Sequence, residues 1–183
     1  MSKIADHPER RAAFTEAAID TIGDQGMEAL RLRDVAARAD ATTGALTHYF
    51  DGKDELLKAA LDVIMERLLA WMDSVPGPEA GADAILDGIA AGLPIGPEEA
   101  RDWRVWLAFW GRAVASEGLR DAHRAHYARI VERLVADGFD ETGADALIAA
   151  VDGIGTRATM EPELWPAERQ RTTLARLVRP LLP

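Results

Sequence analysis

The sequence contains no cysteine. That removes disulfide frameworks, thiol nucleophiles, iron–sulfur clusters and cysteine-ligated zinc. It also lacks any apolar run near the ~18 residues that a membrane helix requires. The opening MSKIADHPERRAAF has neither the apolar core nor the small-residue cleavage site of a secretory signal, so a soluble cytoplasmic protein with no membrane partner is expected. Period-two alternation of β-branched residues is missing, and with it any expected strand. A Gly-rich phosphate loop, a G-x-S-x-G elbow and a His-Glu-x-x-His run are missing too, which leaves an enzyme reading without support and calls for no cofactor and no metal. Positive charge is in deficit: 31 acidic residues face 21 basic ones, a formal charge of −10. A non-specific coat for nucleic acid is strongly basic. Any DNA binding must therefore rest on a few well-placed cations.

What remains is helical. The 183 residues are 48% hydrophobic and 28% charged, ordinary for a globular chain. Asp6 is placed to cap a first helix carrying the stripe Phe14, Ala17, Ala18, Thr21 and Ile22, which Gly26 ends. Short helices follow at Asp34–Arg38 and Thr43–Phe50, then a long one from Lys53 whose stripe runs through Leu56, Leu57, Ala60, Ile64, Leu68, Trp71 and Met72. A Pro- and Gly-rich stretch, residues 74–97, holds a weaker helix at Asp83–Ala91. Beyond it, helices are expected over Glu98–Ser116, from a break at Gly118 to about Ala136, over Ala144–Met160, and from Ala167 to about Val178. The expected fold is all-α, with eight or nine helices.

The informative stretch is Arg31–Leu57. Val35 and Ala36 give the first short helix an inward face, Leu46 and Phe50 the second, and Ala36 is small enough for a close crossing. Such a pair is a helix-turn-helix, whose second helix enters the major groove. Thr43, Gly44, Ala45, Thr47 and His48 are left facing outward, all short or neutral. Arg10, Arg11, Arg31, Arg33, Arg38 and Lys53 are the cations at hand for phosphate.

Here the chain resembles the TetR family of bacterial transcription regulators. Val35-Ala36, Thr42, Gly44, Leu46, Tyr49-Phe50, Lys53 and Leu56-Leu57 carry the resemblance, which runs across Ala13–Leu57. It implies that Arg33, Thr42, Thr43, Gly44, Ala45, Thr47, His48 and Tyr49 form the DNA-reading face and that Lys53 touches phosphate. Thr47 stands where the family usually has tyrosine, and the position near Arg31 lacks the usual serine or threonine. Asp40 stands where the family has a turn glycine; aspartate also tolerates a left-handed backbone.

Beyond residue 75 the order WLAFWGRA, then Leu119, Tyr127 and Ile130, then Val151-Asp152-Gly153-Ile154, resembles the BetI branch of that family. Trp103, Trp106 and Trp110 share one stripe with Leu107 and Val114, while Val105 and Phe109 lie opposite. The tryptophans are either packed core or part of an aromatic cage for a cation, since ring faces attract quaternary ammonium. Met65, Trp71, Met72 and Tyr127 are further ligand candidates. His123 and His126 have metal-compatible spacing but no third ligand nearby. Leu147, Val151 and Ile154, with Leu174, Leu177, Val178 and Leu181, form two stripes that a chain of this size is expected to bury against a second copy, as a four-helix seam. Gly153 and Gly155 sit beside the first of these and allow close approach. The sequence thus reads as a DNA-binding unit over residues 1–52 and a ligand-sensing and dimerising unit over 53–183. The expected function is that of a homodimeric regulator, most simply a repressor, that binds a near-palindromic double-stranded operator and is released by a small-molecule inducer. The competing class is a small-molecule-binding helical protein without operator binding.

Overall fold

A computed structural model describes residues 6–75 and 77–182. Among the described residues it contains nine α-helices and no strand. The first helix, α1, spans Asp6–Gln25; the Asp6 side chain expected to cap it lies outside the described set. Phe14, Ala18 and Ile22 are fully buried along its inner face. Gly26 ends it at φ +81°, a conformation that suits glycine. After a single 3₁₀ turn come α2 (Leu32–Arg38) and α3 (Thr43–Thr47). Between them Asp40 takes φ +49°, so aspartate fills the glycine position of the turn. The second short helix is shorter than expected: its regular part ends at Thr47, and a turn through His48–Phe50, closed by Phe50 N–H on the Leu46 carbonyl at 3.1 Å, sets Phe50 edge-on to Phe14.

Helix α4 runs from Lys53 to Met72, and the body follows as α5 (Ala82–Ala90), α6 (Pro97–Ala113), α7 (Glu117–Ala136), α8 (Glu141–Met160) and α9 (Ala167–Val178). The middle of the molecule is α6, with α1 and α4 on one side and α7 and α8 on the other. That placement is why Val105 and Phe109 are buried on one face and Trp103 and Trp106 on the other.

Three expectations are corrected. α6 stops at Ala113, so Val114, expected on the tryptophan stripe, is 80% exposed. Gly118 does not break a helix but lies in the first turn of α7, where a missing side chain costs little. α8 begins at Glu141 rather than Ala144, because the Asp140 carboxylate accepts a hydrogen bond from Gly143 N–H at 2.7 Å and caps it.

The larger correction concerns α9. It folds back along α8, with α5 against its other side. Leu147, Ile154, Leu174 and Val178 are consequently buried inside the single chain, at 3, 3, 1 and 0% exposure. They cannot also line a seam with another copy. Leu177 is half exposed, and Leu181 partly so.

The reading head is bolted to the body rather than hinged on a linker. Arg101 of α6 reaches Asp20 at 2.9 Å and Asp24 at 3.1 Å on α1, and Arg38 of α2 reaches the same two carboxylates from the other side at 3.5 and 2.8 Å. Arg104 donates to the Gly23 carbonyl at 2.5 Å.

Candidate nucleic-acid interface and interior cavity

On the head, Leu30, Val35, Ala36 and Leu46 are fully buried, which clamps α3 against α2 and α1. The Thr42 hydroxyl accepts from Ala45 N–H at 3.1 Å and caps α3. The face turned outward carries Arg33, Thr43, Gly44, Thr47, His48 and Lys53, all exposed, with Ala45 and Tyr49 partly buried among them. Thr47 is not free to reach far, because its hydroxyl donates to the Gly44 carbonyl at 3.1 Å. Tyr49 is held from behind by Phe14 and flanked by His48 and by His7 of α1, the last with ring centroids 4.4 Å apart. His7 thus joins this face. Residue spacing within the helix-turn-helix cannot signal it.

The cations divide. Arg33, Arg31 and Lys53 point away from the core. Arg11 does not: its guanidinium lies 4.5 Å from the Phe50 ring centroid and 3.6 Å from Glu55. Arg38, offered by the sequence as a phosphate ligand, is committed to Asp20 and Asp24.

In the body, α4 to α8 enclose a cavity of about 140 Å³ with mostly apolar walls. Of the seven residues the sequence singled out for a ligand, Trp71, Met72, Trp103, Trp106, Trp110 and Tyr127 line it. Met65 does not; it is fully buried two turns back along α4, in solid core. Leu147 and Val151, expected at the seam between copies, line the cavity instead, because the α8 face that bears them turns inward. Asp152 lines it as well, and it was not singled out.

Trp103 is fixed by two features. Its Nε1 donates to the Gly92 carbonyl at 2.9 Å, and its ring lies flat on Gly155, where a Cβ would come within 2.1 Å of Cη2. Trp110 sits edge-on to Trp103 with centroids 6.4 Å apart, and Trp106 lies 6.1 Å from Trp110 and 6.2 Å from Tyr127. The Trp110 indole N–H is buried without a hydrogen-bond partner.

The polar element of the cavity is a pair. Tyr127 donates its hydroxyl to Asp152 Oδ2 at 2.7 Å. Burial pushes the Asp152 carboxyl up to about 6 against the pull of that hydrogen bond. Burial and the neighbouring carboxylate push Tyr127 up as well, so it stays protonated. His123 packs flat on Tyr127 at 4.2 Å, with its pKa pushed down by burial. The other histidine faces elsewhere: His126 is buried with Nε2 3.1 Å from Asp62 of α4. The i, i+3 spacing therefore serves two separate neighbours.

The model of bacterial regulatory proteins of the tetR family matches residues 14–60, and that of the BetI-type transcriptional repressor C-terminal region matches residues 78–183. The chain belongs to the TetR family. Among relatives of this TetR-family regulator, the HTH-type transcriptional regulator PksA of Bacillus subtilis is 30% identical over 178 residues, covering 88% of this chain and 84% of PksA. A transcriptional regulator from Rhodococcus sp. Rha1 shares its structure with a TM-score of 0.84 at 30% identity, over 93% of this chain and 95% of that one. The multidrug binding protein EbrR, solved in complex with imidazole, matches with a TM-score of 0.72 at 30% identity, over 93% and 95% of the two chains. This TetR-family protein is a transcriptional regulator and not an enzyme, with a C-terminal body of BetI type.

Proposed function

We propose that the protein is a repressor that binds a near-palindromic operator as a homodimer and leaves it when a small molecule fills the cavity. The observation that carries this is α4. Lys53, at its first turn, belongs to the exposed face of the head, while Trp71 and Met72, at its last turn, belong to the cavity wall. Twenty helical residues span about 30 Å, so one rigid element ties the two sites together. A ligand that pushes on Trp71 tilts α4 and changes the separation of the two heads. Such a ligand releases DNA only if it favours the spacing that misfits two successive major grooves.

In this reading residues 1–52 form the DNA-binding unit and 53–183 the sensing and dimerising unit. Arg33, Thr42, Thr43, Gly44, Ala45, Thr47, His48 and Tyr49 face the groove and Lys53 a phosphate. The second copy meets the outer side of α8 and α9, where Met160 and Leu177 are 73 and 49% exposed and Leu164, in the turn between the two helices, is 57% exposed. Large apolar side chains left exposed in this way are expected to be covered at such a seam.

A gel-shift titration of the purified protein on the DNA upstream of its own gene tests the proposal. A specific shift is expected, with two half-sites protected about one helical turn or more apart. Absence of any specific shift leaves the competing reading, a ligand-binding helical protein without an operator.

A further inference from the structure

We propose that the cavity takes a compact protonated amine of single-ring size, its N–H groups on the Asp152 carboxylate and its hydrocarbon part among Trp103, Trp106, Trp110 and Tyr127. This rests on the reading of the cavity as the inducer site. The first argument is charge. The lining residues from α4, α5 and α6 carry no charge. From α7 the cavity meets Tyr127, with His123 stacked behind it, and just past the end of α7 it meets Asp137, which is paired with Arg133. Asp152 on α8 is thus an acid in an apolar wall, and among the described residues its side-chain hydrogen bond comes from Tyr127. Taking a carboxylate largely out of water is costly, and a cation with N–H donors offsets that cost.

The second argument is the rings. Four indoles and a phenol line the space, and aromatic faces attract a cation within about 6 Å of their centroids. The third is size. At about 140 Å³ the cavity is close to an engineered apolar cavity of about 150 Å³ that holds one benzene. One ring and an aminomethyl group fit within that volume. The fourth separates amine from quaternary ammonium. A trimethylammonium satisfies the rings but offers Asp152 no N–H.

Binding must also sense pH. The amine is met by the ionised acid, which is lost as the medium falls below about 6. Burial holds His123 towards its neutral form, and Asp152 is the carboxylate hydrogen-bonded to Tyr127 in the cavity wall, so Asp152 carries the expected pH response.

Calorimetry on the full chain without DNA tests this, with three probes: benzylammonium, benzyltrimethylammonium and benzyl alcohol. Benzylammonium should bind at least about tenfold more tightly than the other two at pH 7.5, and lose about tenfold at pH 5, where about a tenth of Asp152 is ionised. In Asp152→Asn the preference for the amine over the alcohol should vanish. Equal affinity for amine and alcohol, a quaternary probe that matches the amine, or no binding by any of the three overturns the inference. If Asp152→Asn does not fold, the wild-type pH pair decides, and a flat affinity from pH 7.5 to 5 overturns the inference. Gel shifts with the same probes separate the two claims. An amine that binds as expected but leaves the operator complex intact upholds the cavity chemistry and sinks the inducer reading. Release by the alcohol alone does the reverse.

Discussion

Replacing Gly155 with alanine should do damage out of proportion to one methyl group. The new Cβ would stand 2.1, 2.2 and 2.4 Å from Cη2, Cζ2 and Cζ3 of Trp103. Ordinary carbon contacts are about 3.5–4.0 Å, so the ring must retreat by roughly 1.5 Å. It is poorly placed to do so: it is 7% exposed and tethered through Nε1 to the Gly92 carbonyl. Overpacking of this kind costs about 1–3 kcal/mol. Straining the indole hydrogen bond adds about 1 kcal/mol, and the better helix propensity of alanine returns about 1 kcal/mol. The net is a loss of about 2 kcal/mol, which for a chain of this length lowers Tm by roughly 4–8 °C. The open side for the ring is the cavity, so ligand affinity should fall in the same variant. Gly111 of α6 is the internal control, since a Cβ there meets nothing within 4 Å. Gly111→Ala should raise stability by up to about 1 kcal/mol through propensity alone. Thermal melts followed by circular dichroism, with calorimetry for the ligand, read both. A Gly155→Ala protein as stable as Gly111→Ala, with ligand affinity intact, would refute the packing argument.

Asp152 bears on stability as well as on binding. Its folded pKa lies above the ordinary 3.8, so the native state holds the proton more tightly and stability declines as pH rises from about 4 to about 6. Asp152→Asn should therefore be more stable than the parent at pH 7, by up to about 3 kcal/mol, with the gap closing towards pH 4 in urea melts; a constant gap would contradict this. Lys53→Ala should weaken binding to operator and random DNA alike and flatten the salt slope by about one, read by fluorescence anisotropy across a salt series. Leu177→Glu puts a desolvated carboxylate on the proposed seam, and light scattering should find monomers that melt like the parent but bind operator at least tenfold more weakly, about 1.4 kcal/mol or more. A Leu177→Glu variant that remains dimeric with full operator affinity would move the seam elsewhere.

The helix-turn-helix was legible because its constraints are local. Thr42 caps the helix it precedes, Asp40 fills the one turn position that needs a positive φ, and Val35, Ala36, Leu46 and Phe50 meet within twenty residues. The tryptophan stripe was legible as periodicity, and that places Trp103, Trp106 and Trp110 on one side of α6. Whether that side faces a void or solid packing depends on how five helices cross, which no period encodes. Asp152 was passed over for the same reason: its partner is twenty-five residues away on another helix. The α8 and α9 stripes misled because an apolar face says that it is covered, not by what. Leu174 and Val178 find α8 and α5 of their own chain before any second copy is needed. Arg38 erred similarly, a cation near the reading face being drawn off by two acids on α1.

The seam between α1 and α6 has a consequence for anyone recombining such regulators. Gly23 lies so close to Arg101 that a Cβ would come within 2.0 Å of its Cγ, while Asp20, Asp24 and the Gly23 carbonyl are all claimed by arginines of α6. A head cut at residue 52 and grafted onto a foreign body arrives with two carboxylates and a narrow groove made for arginines that stayed behind. The portable unit is residues 1–52 together with the matching surface of α6. A chimera that rebuilds Arg101 and Arg104 on the host helix should transplant operator choice, whereas one that copies only the contiguous segment carries the reading residues without the frame that aims them.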